Sequence, residues 1–144
     1  MSRVAFFVDA NVIVYAATRG RYHESCVEIL RAISEGKAAG RTSTAVIEEV
    51  WHVELSGKAG DLSGLAENAH TLFAPLLAVD HEIVGAALGL PPSALGANDR
   101  IHVATSVLND IDAIVTADTD FDGVRGVRRI DPLDQQALRR LLAP

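Results

Sequence analysis

The segment Val4-Ala5-Phe6-Phe7-Val8-Asp9-Ala10-Asn11 determines the architecture, because an apolar run within it stops at a carboxylate. The run is too short for a globular helix and is rich in Val and Phe, so it predicts a strand buried on both faces. Such strands form parallel sheets covered by helices, and ligands bind beside the carboxyl ends of those strands. We therefore expect Asp9 and Asn11 at the ligand-binding edge of a parallel sheet.

The composition limits the class of protein. The chain has 144 residues, of which 49% are hydrophobic and 22% charged, which predicts one globular domain over residues 1–144. No apolar run approaches the roughly 20 residues that span a bilayer, and Asp9 and Asn11 interrupt the apolar segment after Arg3, so we expect neither a membrane helix nor a signal peptide. Cys26 is the only cysteine, as is typical of the reducing cytoplasm. The net charge of −6 argues against a general polyanion binder but permits an acidic pocket that holds cations.

Strand and helix patterns alternate along the chain. Apolar runs predict strands at 4–8, 38–42, 76–80, 113–116 and 127–130. Helical spacing and capping residues predict helices at about 11–18, 22–35, 44–56, 61–73, 81–89, 98–108 and 133–142. This alternation predicts an α/β fold, a three-layer α/β/α sandwich whose central, mainly parallel sheet has about five strands.

Acidic side chains recur next to these predicted elements. Asp9 and Asp118 follow predicted strands, whereas Glu48, Glu49 and Asp99 lie on helices that follow a short strand or a loop. Carboxylates that meet within a few ångströms cannot all ionise unless cations offset their repulsion. Oxygen ligands without paired His or Cys suit Mg²⁺ or Mn²⁺ better than Zn²⁺. The pattern therefore predicts a divalent metal site of the kind that serves phosphodiester hydrolysis.

Four segments resemble motifs of PIN-domain proteins, and most closely those of the small ribonuclease toxins of the VapC type. They are Val-Asp-Ala-Asn-Val at 8–12, Thr-Ser-x₅-Glu at 42–49, Asn-Asp-Arg-Ile-His-Val-Ala-Thr at 98–105 and Val-Thr-Ala-Asp-Thr-Asp-Phe at 115–121. They occur in the family's order, and the resemblance extends from Val4 to Pro132. It implies a PIN fold, Mg²⁺- or Mn²⁺-dependent cleavage of RNA, neutralisation by a cognate antitoxin protein and a homodimer.

The same resemblance implies roles for individual residues. Its metal-binding and catalytic acids fall on Asp9, Glu49, Asp99 and Asp118. Asp120 falls on a position that is often acidic in the family and is sometimes counted in the site. Asn11 and Thr116 fall on positions that resemble the family's polar supports.

The residues alone leave alternatives open for several of these acids. Asp9 is either a metal ligand or a cap for the helix that follows it. Glu48 and Glu49 diverge by about 100° on a helix, and the helical wheel barely decides between them, although the family register favours Glu49. Asp99 stands where an N-cap belongs, but Asn98 could take that role instead.

Other side chains have a structural explanation beside a functional one. The five histidines show no paired metal spacing, so each is expected at the surface or in the core, although His102 could border the acidic pocket. Trp51 is expected in the core, although an exposed Trp at this position could stack on a base. Arg19, Arg21 and Arg100 either contact an RNA backbone or are solvated.

Three functions are compatible with the sequence to different degrees. The leading hypothesis is a metal-dependent endoribonuclease, and the alternative is a catalytically silent PIN-like module that binds RNA or protein. A phosphotransfer domain with Asp9 as nucleophile is disfavoured, because Asn11 stands where such domains carry a second Asp.

Overall fold

The computed structural model describes residues 3–142, and its centre is a four-stranded parallel sheet. The strands are β1 (Ala5–Val8), β2 (Ala39–Arg41), β3 (Ala113–Val115) and β4 (Arg128–Ile130), in the order β2-β1-β3-β4. Phe7 of β1 pairs with Arg41 on one side and with Ile114 on the other. The apolar run at the start of the chain is therefore an inner strand, as its composition predicts.

Helices flank this sheet and provide its crossovers. They are α1 (Ala10–Ala16), α2 (His23–Ser34), α3 (Thr44–Ser56), α4 (Leu65–Leu72), α5 (His81–Leu88), α6 (Ala97–Leu108) and α7 (Gln135–Leu142), with a 3₁₀ turn at Thr119–Phe121. Parallel neighbours need such crossovers, because a two-residue hairpin can join only antiparallel strands. The predicted α/β fold with a parallel sheet is confirmed. No helix between residues 3 and 142 is both long enough and apolar enough to cross a membrane.

The strand predicted at 76–80 is reduced to a single parallel bridge between Ser43 and Leu77. Leu77 N donates to Thr42 O at 2.9 Å, and Thr44 N donates to Leu77 O at 3.0 Å. The ladder then stops because Asp80 caps α5, accepting from Ile83 N at 3.0 Å. This local cap competes with strand pairing, so the sheet has four strands where five were predicted.

The start of α6 also differs from the prediction. Gly96 is the N-cap and the helix begins at Ala97, so neither Asn98 nor Asp99 is the cap. The first helical bond runs from Arg100 N to Gly96 O at 3.0 Å. Asp99 consequently lies inside the first turn, and its carboxylate is not needed to terminate the helix.

Two residues of α3 have surroundings that the sequence did not indicate. Trp51 is 55% exposed, so its expected place in the core is wrong. Glu54 accepts hydrogen bonds from Ala66 N at 2.9 Å and Gly64 N at 3.3 Å, at the start of α4. An acid near the apolar side of α3 is therefore tolerated because it satisfies the free N–H groups of the next helix.

Candidate active site

The candidate site lies at the carboxyl ends of the adjacent strands β1 and β3. Asp9 directly follows β1, and Thr116 directly follows β3. Sheet-like bonds continue past both strand ends, from Asp9 N to Val115 O and from Thr116 N to Ile130 O, each at 3.1 Å. These bonds hold the two polar residues at the same edge of the sheet, as the parallel topology predicts.

Asp9 is 4% exposed and is held through both carboxylate oxygens. Oδ1 accepts from Ala10 N at 2.7 Å, whereas Oδ2 accepts from Thr116 Oγ1 at 2.8 Å and from Asn11 Nδ2 at 3.2 Å. Burial raises the pKa of Asp9 above its usual value, although His102 and the bonds from Thr116 and Ala10 oppose that rise. Asp9 caps α1 and also faces the site, so its capping bond leaves its predicted role as a metal ligand open.

Thr116 and Asn11 connect Asp9 to the loop that carries Asp118. The Thr116 hydroxyl accepts from Asn11 Nδ2 at 2.8 Å and from Asp118 N at 3.1 Å. Asn11 Oδ1 in turn accepts from Ala117 N at 3.3 Å. The two predicted supports therefore form one hydrogen-bonded network that fixes the loop after β3 relative to Asp9.

Glu49 reaches the same place from α3. Its Oε1 lies 2.7 Å from His102 Nε2, and that nitrogen lies 3.7 Å from Asp9 Oδ1. A carboxylate oxygen of Asp9, a carboxylate oxygen of Glu49 and a ring nitrogen of His102 all lie within 4.8 Å of one another, so the two carboxylates are close enough to share one cation. Glu48 points to solvent, so the structure brings Glu49 into the site and not its neighbour.

His102 is the site residue that the sequence indicated only weakly. Its side chain is fully buried, and its ring centroid lies 5.5 Å from that of Phe7. Burial alone lowers the pKa of His102, but the Glu49 hydrogen bond and the nearby carboxylates outweigh burial and raise it above the usual value. Within residues 3–142, His102 Nδ1 is a buried atom without a hydrogen-bond partner. The available signal was its spacing, since His102 lies one helical turn after Asp99.

The pKa of Asp99 is influenced by the other three predicted acids. The half-buried side chain has a pKa raised to about 6, first by burial and then by the Asp9 carboxylate. Asp118 and Glu49 raise it further, whereas His102 lowers it. All four predicted acids therefore interact electrostatically, and their repulsion is not fully neutralised by His102.

Asp118 and Asp120 lie towards the outer side of the site. Asp118 is half-buried, and its Oδ1 accepts from Asp120 N at 2.9 Å. The Asp120 side chain is exposed and borders a neighbouring cavity of about 440 Å³. Asp99, Asp118 and Asp120 are outside the group whose donor atoms lie within 4.8 Å, so their roles as ligands stay predictions.

Arg100 and Arg129 each form hydrogen bonds or ion pairs with other residues of the chain. Arg100 donates to the carbonyl oxygens of Leu95 at 3.0 Å and Pro91 at 3.2 Å, and so holds the loop before α6. Arg129 forms ion pairs with Asp122 at 2.6 Å and Asp131 at 3.0 Å. These bonds account for both side chains without an RNA contact.

The donor set fits a divalent cation. Two carboxylates and an imidazole converge, and burial and the neighbouring carboxylates raise the pKa of a third carboxyl beside them, that of Asp99, to about 6. In the described range, no lysine or arginine forms an ion pair with any of the predicted acids, which are Asp9, Glu49, Asp99 and Asp118. Carboxylate oxygens suit both Mg²⁺ and Mn²⁺, whereas His102 Nε2 lies in a hydrogen bond to Glu49 and its lone pair is not available to a cation in this arrangement.

Comparisons with known proteins agree with this architecture. The model of the PIN domain family matches residues 6–127. No curated protein sequence matches the chain significantly. Among solved structures, VapBC2 from Rickettsia felis, bound to a DNA fragment from its promoter, has a TM-score of 0.65 at 13% identity, covering 89% of this chain and 98% of that one.

Two further structures have the same fold. VapC20 from Mycobacterium tuberculosis, described as a sarcin–ricin loop cleaving toxin, has a TM-score of 0.65 at 15% identity, covering 85% of this chain and 98% of that one. FitAcB from Neisseria gonorrhoeae has a TM-score of 0.63 at 19% identity, covering 90% of this chain and 99% of that one. At these identities the likeness establishes the fold.

Proposed function

The chain belongs to the PIN domain family, and on that premise we propose that it is a metal-dependent endoribonuclease that hydrolyses RNA phosphodiester bonds. The observation that carries the proposal is the convergence of Asp9, Glu49 and His102 within 4.8 Å. The raised pKa of Asp99 beside them supports it, because burial and then the neighbouring carboxylates disfavour a negative charge that a bound cation would stabilise.

The residues that would hold the cation are Asp9, Glu49, Asp99 and Asp118. Mg²⁺ or Mn²⁺, when bound, supplies Lewis acidity that lowers the pKa of water and offsets charge on a phosphoryl group. Asp9 is fixed for this task by Asn11 and Thr116, so it need not reorganise as the cation binds.

His102 is proposed to position Glu49. It donates from Nε2 to Glu49 Oε1, and its ring is held against Phe7 inside the core. A carboxylate on a half-buried helix face would otherwise sample several rotamers. Partners that orient metal ligands in this way typically contribute 10–100-fold to metal affinity or activity.

The proposed class also specifies the partners. The substrate is RNA, and the chain is the toxin of a toxin–antitoxin pair whose antitoxin protein blocks it. A homodimer in the cytoplasm is the proposed form. Support for the antitoxin comes from the similar fold of VapBC2 and from VapC20, which is described as a toxin. Growth arrest on expression, relieved by the product of an adjacent reading frame, is the expected result.

The central experiment measures cleavage of total RNA and of individual structured RNAs by the purified chain with Mg²⁺, with Mn²⁺ and with a chelator. We expect metal-dependent fragments from the wild type and none from Asp9→Asn, with unchanged circular dichroism. Undiminished cleavage by Asp9→Asn would contradict the proposed site.

The acidic net charge argues against a general RNA binder, and it therefore favours the alternative of a catalytically silent module chiefly in the form that binds a protein. That module would show no metal-stimulated cleavage of any RNA, while its acid variants would still bind a partner. Measuring both binding and cleavage of the same RNAs with one preparation therefore distinguishes the two functions.

A further inference from the structure

A second polar pocket lies at the opposite end of α1 from Asp9. It has a volume of about 210 Å³ and is formed by the end of α1, the loop after it and the start of α2. Its lining includes two arginines, two tyrosines and a histidine, which are Arg19, Arg21, Tyr15, Tyr22 and His23. None of these residues belongs to the proposed metal site.

The two arginines give this pocket a local positive charge on an acidic protein. Arg19 and Arg21 are exposed, and neither forms an ion pair with a carboxylate within the part of the chain that the structure describes. Gly20 between them has φ of 151°, a conformation that residues with a side chain rarely adopt. Arg19 and Arg21 therefore flank Gly20 with two positive charges that no carboxylate neutralises among the described residues. Guanidinium groups bind phosphate and other anions through strong hydrogen bonds.

The remaining side chains add a rigid aromatic wall. The Tyr15 and Tyr22 rings are stacked, with centroids 5.0 Å apart and planes 14° apart, and the Arg21 guanidinium lies 5.2 Å from the Tyr22 centroid. Nucleobases stack on aromatic and guanidinium planes without sequence preference, so a base would use the outward faces of this stack and not the faces that already contact one another. His23 also lines the pocket, and its Nδ1 is buried without a hydrogen-bond partner among residues 3–142, so that atom would have to become exposed before it could bond to a ligand.

We propose that this pocket binds a phosphodiester and its adjoining base in single-stranded RNA, away from the bond that is cleaved. The inference rests on the proposed ribonuclease function and adds an anchoring site for the same substrate. The seven residues of α1 separate the two sites by roughly 10 Å, which is about three nucleotides of a stacked strand at roughly 3.4 Å each. The pocket offsets the repulsion between RNA and the acidic centre.

The test compares two charge-matched double variants. Arg19→Ala/Arg21→Ala removes the pocket's charges, and Arg139→Ala/Arg140→Ala removes two exposed arginines from α7. Binding of a labelled mixed-sequence oligoribonucleotide is measured by fluorescence anisotropy in chelator, over a range of salt concentrations. We expect the pocket variant to bind at least about tenfold more weakly and its salt slope to fall by about 1.4, which is about 0.7 for each lost contact. The α7 variant should stay within about twofold of the wild type; equal losses in both variants would overturn the inference.

Competition experiments separate the sources of the phosphate. Adenosine monophosphate should displace the RNA at lower concentration than inorganic phosphate, and Tyr22→Leu should remove that difference. Equal competition by the two ligands would overturn the base contact. An oligoglutamate peptide that binds through Arg19 and Arg21, where RNA does not, would assign the pocket to an acidic protein segment and overturn the proposal.

Cleavage kinetics distinguish this inference from the function on which it rests. Because the pocket is remote from the acids, its loss should raise KM and leave kcat nearly unchanged. Cleavage with unaltered KM in the pocket variant would refute the anchoring site alone. If the wild type cleaves no RNA but still binds it through these arginines, the nuclease function fails and the binding site stands.

Discussion

Replacing Asp99 by Asn should make the metal-free protein more stable. The Asp99 carboxyl has its pKa raised to about 6 in the folded chain, against an ordinary value of 3.8, because burial and the Asp9 carboxylate disfavour its charge. The difference of about 2 pKa units, at about 1.36 kcal/mol each, corresponds to about 3 kcal/mol. Solvent reaches this half-buried side chain, so we expect about 2 kcal/mol at pH 8. For a chain of this size, that is a rise in Tm of about 4–8 °C.

The sign of the pH dependence follows from the same pKa values. Between about pH 4 and pH 6 the folded state binds more protons at Asp99 than the unfolded state does, so wild-type stability falls as the pH rises through this window. Above pH 6 the penalty is fully present. The advantage of Asp99→Asn should therefore be largest at pH 7–8 and disappear near pH 4.

The assay is urea unfolding in chelator at several pH values, followed by the same series with Mn²⁺. Bound cation should stabilise the wild type more than Asp99→Asn, since a ligand that binds only the folded state adds stability. Glu48→Gln is the matched control, because it removes one negative charge from an exposed helix position. If Asp99→Asn is no more stable than Glu48→Gln at pH 8 in chelator, the argument that burial and the neighbouring carboxylates penalise the Asp99 charge is wrong.

Three further substitutions test the contacts around the site. Glu49→Gln should reduce metal-dependent cleavage at least about tenfold and Glu48→Gln should not, because only Glu49 contacts His102 and approaches Asp9; initial rates on one RNA check this. Thr116→Val should destabilise the fold by about 1–3 kcal/mol in urea unfolding, because it leaves buried partners of the hydroxyl without a bond. His102→Gln should weaken Mn²⁺ binding about 10–100-fold in titration calorimetry, because Glu49 loses the partner that orients it; unchanged Mn²⁺ affinity would exclude the positioning role.

The sequence predicts the elements of this fold better than their limits. The apolar run before Asp9 predicts an inner parallel strand, because Val and Phe are suited to a strand that is buried on both faces. The segment 76–80 has similar composition, yet it forms only one bridge because Asp80 turns the chain into α5. The composition of a segment indicates whether it is buried. Whether it pairs as a strand also depends on competing local hydrogen bonds, which the hydrophobic pattern does not reveal.

The residues of the candidate site also differ in how well the sequence predicts them. Asp9 and Asp118 were identifiable because each follows a predicted strand, and parallel strands place their carboxyl ends at one edge. Glu49 and His102 were harder to assign, because their contact joins positions 53 residues apart on α3 and α6. The orientation of a helical residue about its axis depends on packing between helices, and the wheel for α3 left Glu48 and Glu49 nearly equivalent.

An acid that caps a helix can also face the site, because a capping bond occupies only part of its carboxylate. Asp9 Oδ1 accepts from Ala10 N at the start of α1 and lies 3.7 Å from His102 Nε2. Asp118 likewise accepts from Asp120 N at the start of the 3₁₀ turn while its charge acts on Asp99. A carboxylate has about four lone-pair sites, so the three hydrogen bonds that Asp9 accepts, and the one that Asp118 accepts from Asp120 N, leave acceptor capacity for a cation. A helix start after a parallel strand therefore orients the acid that the proposed chemistry requires.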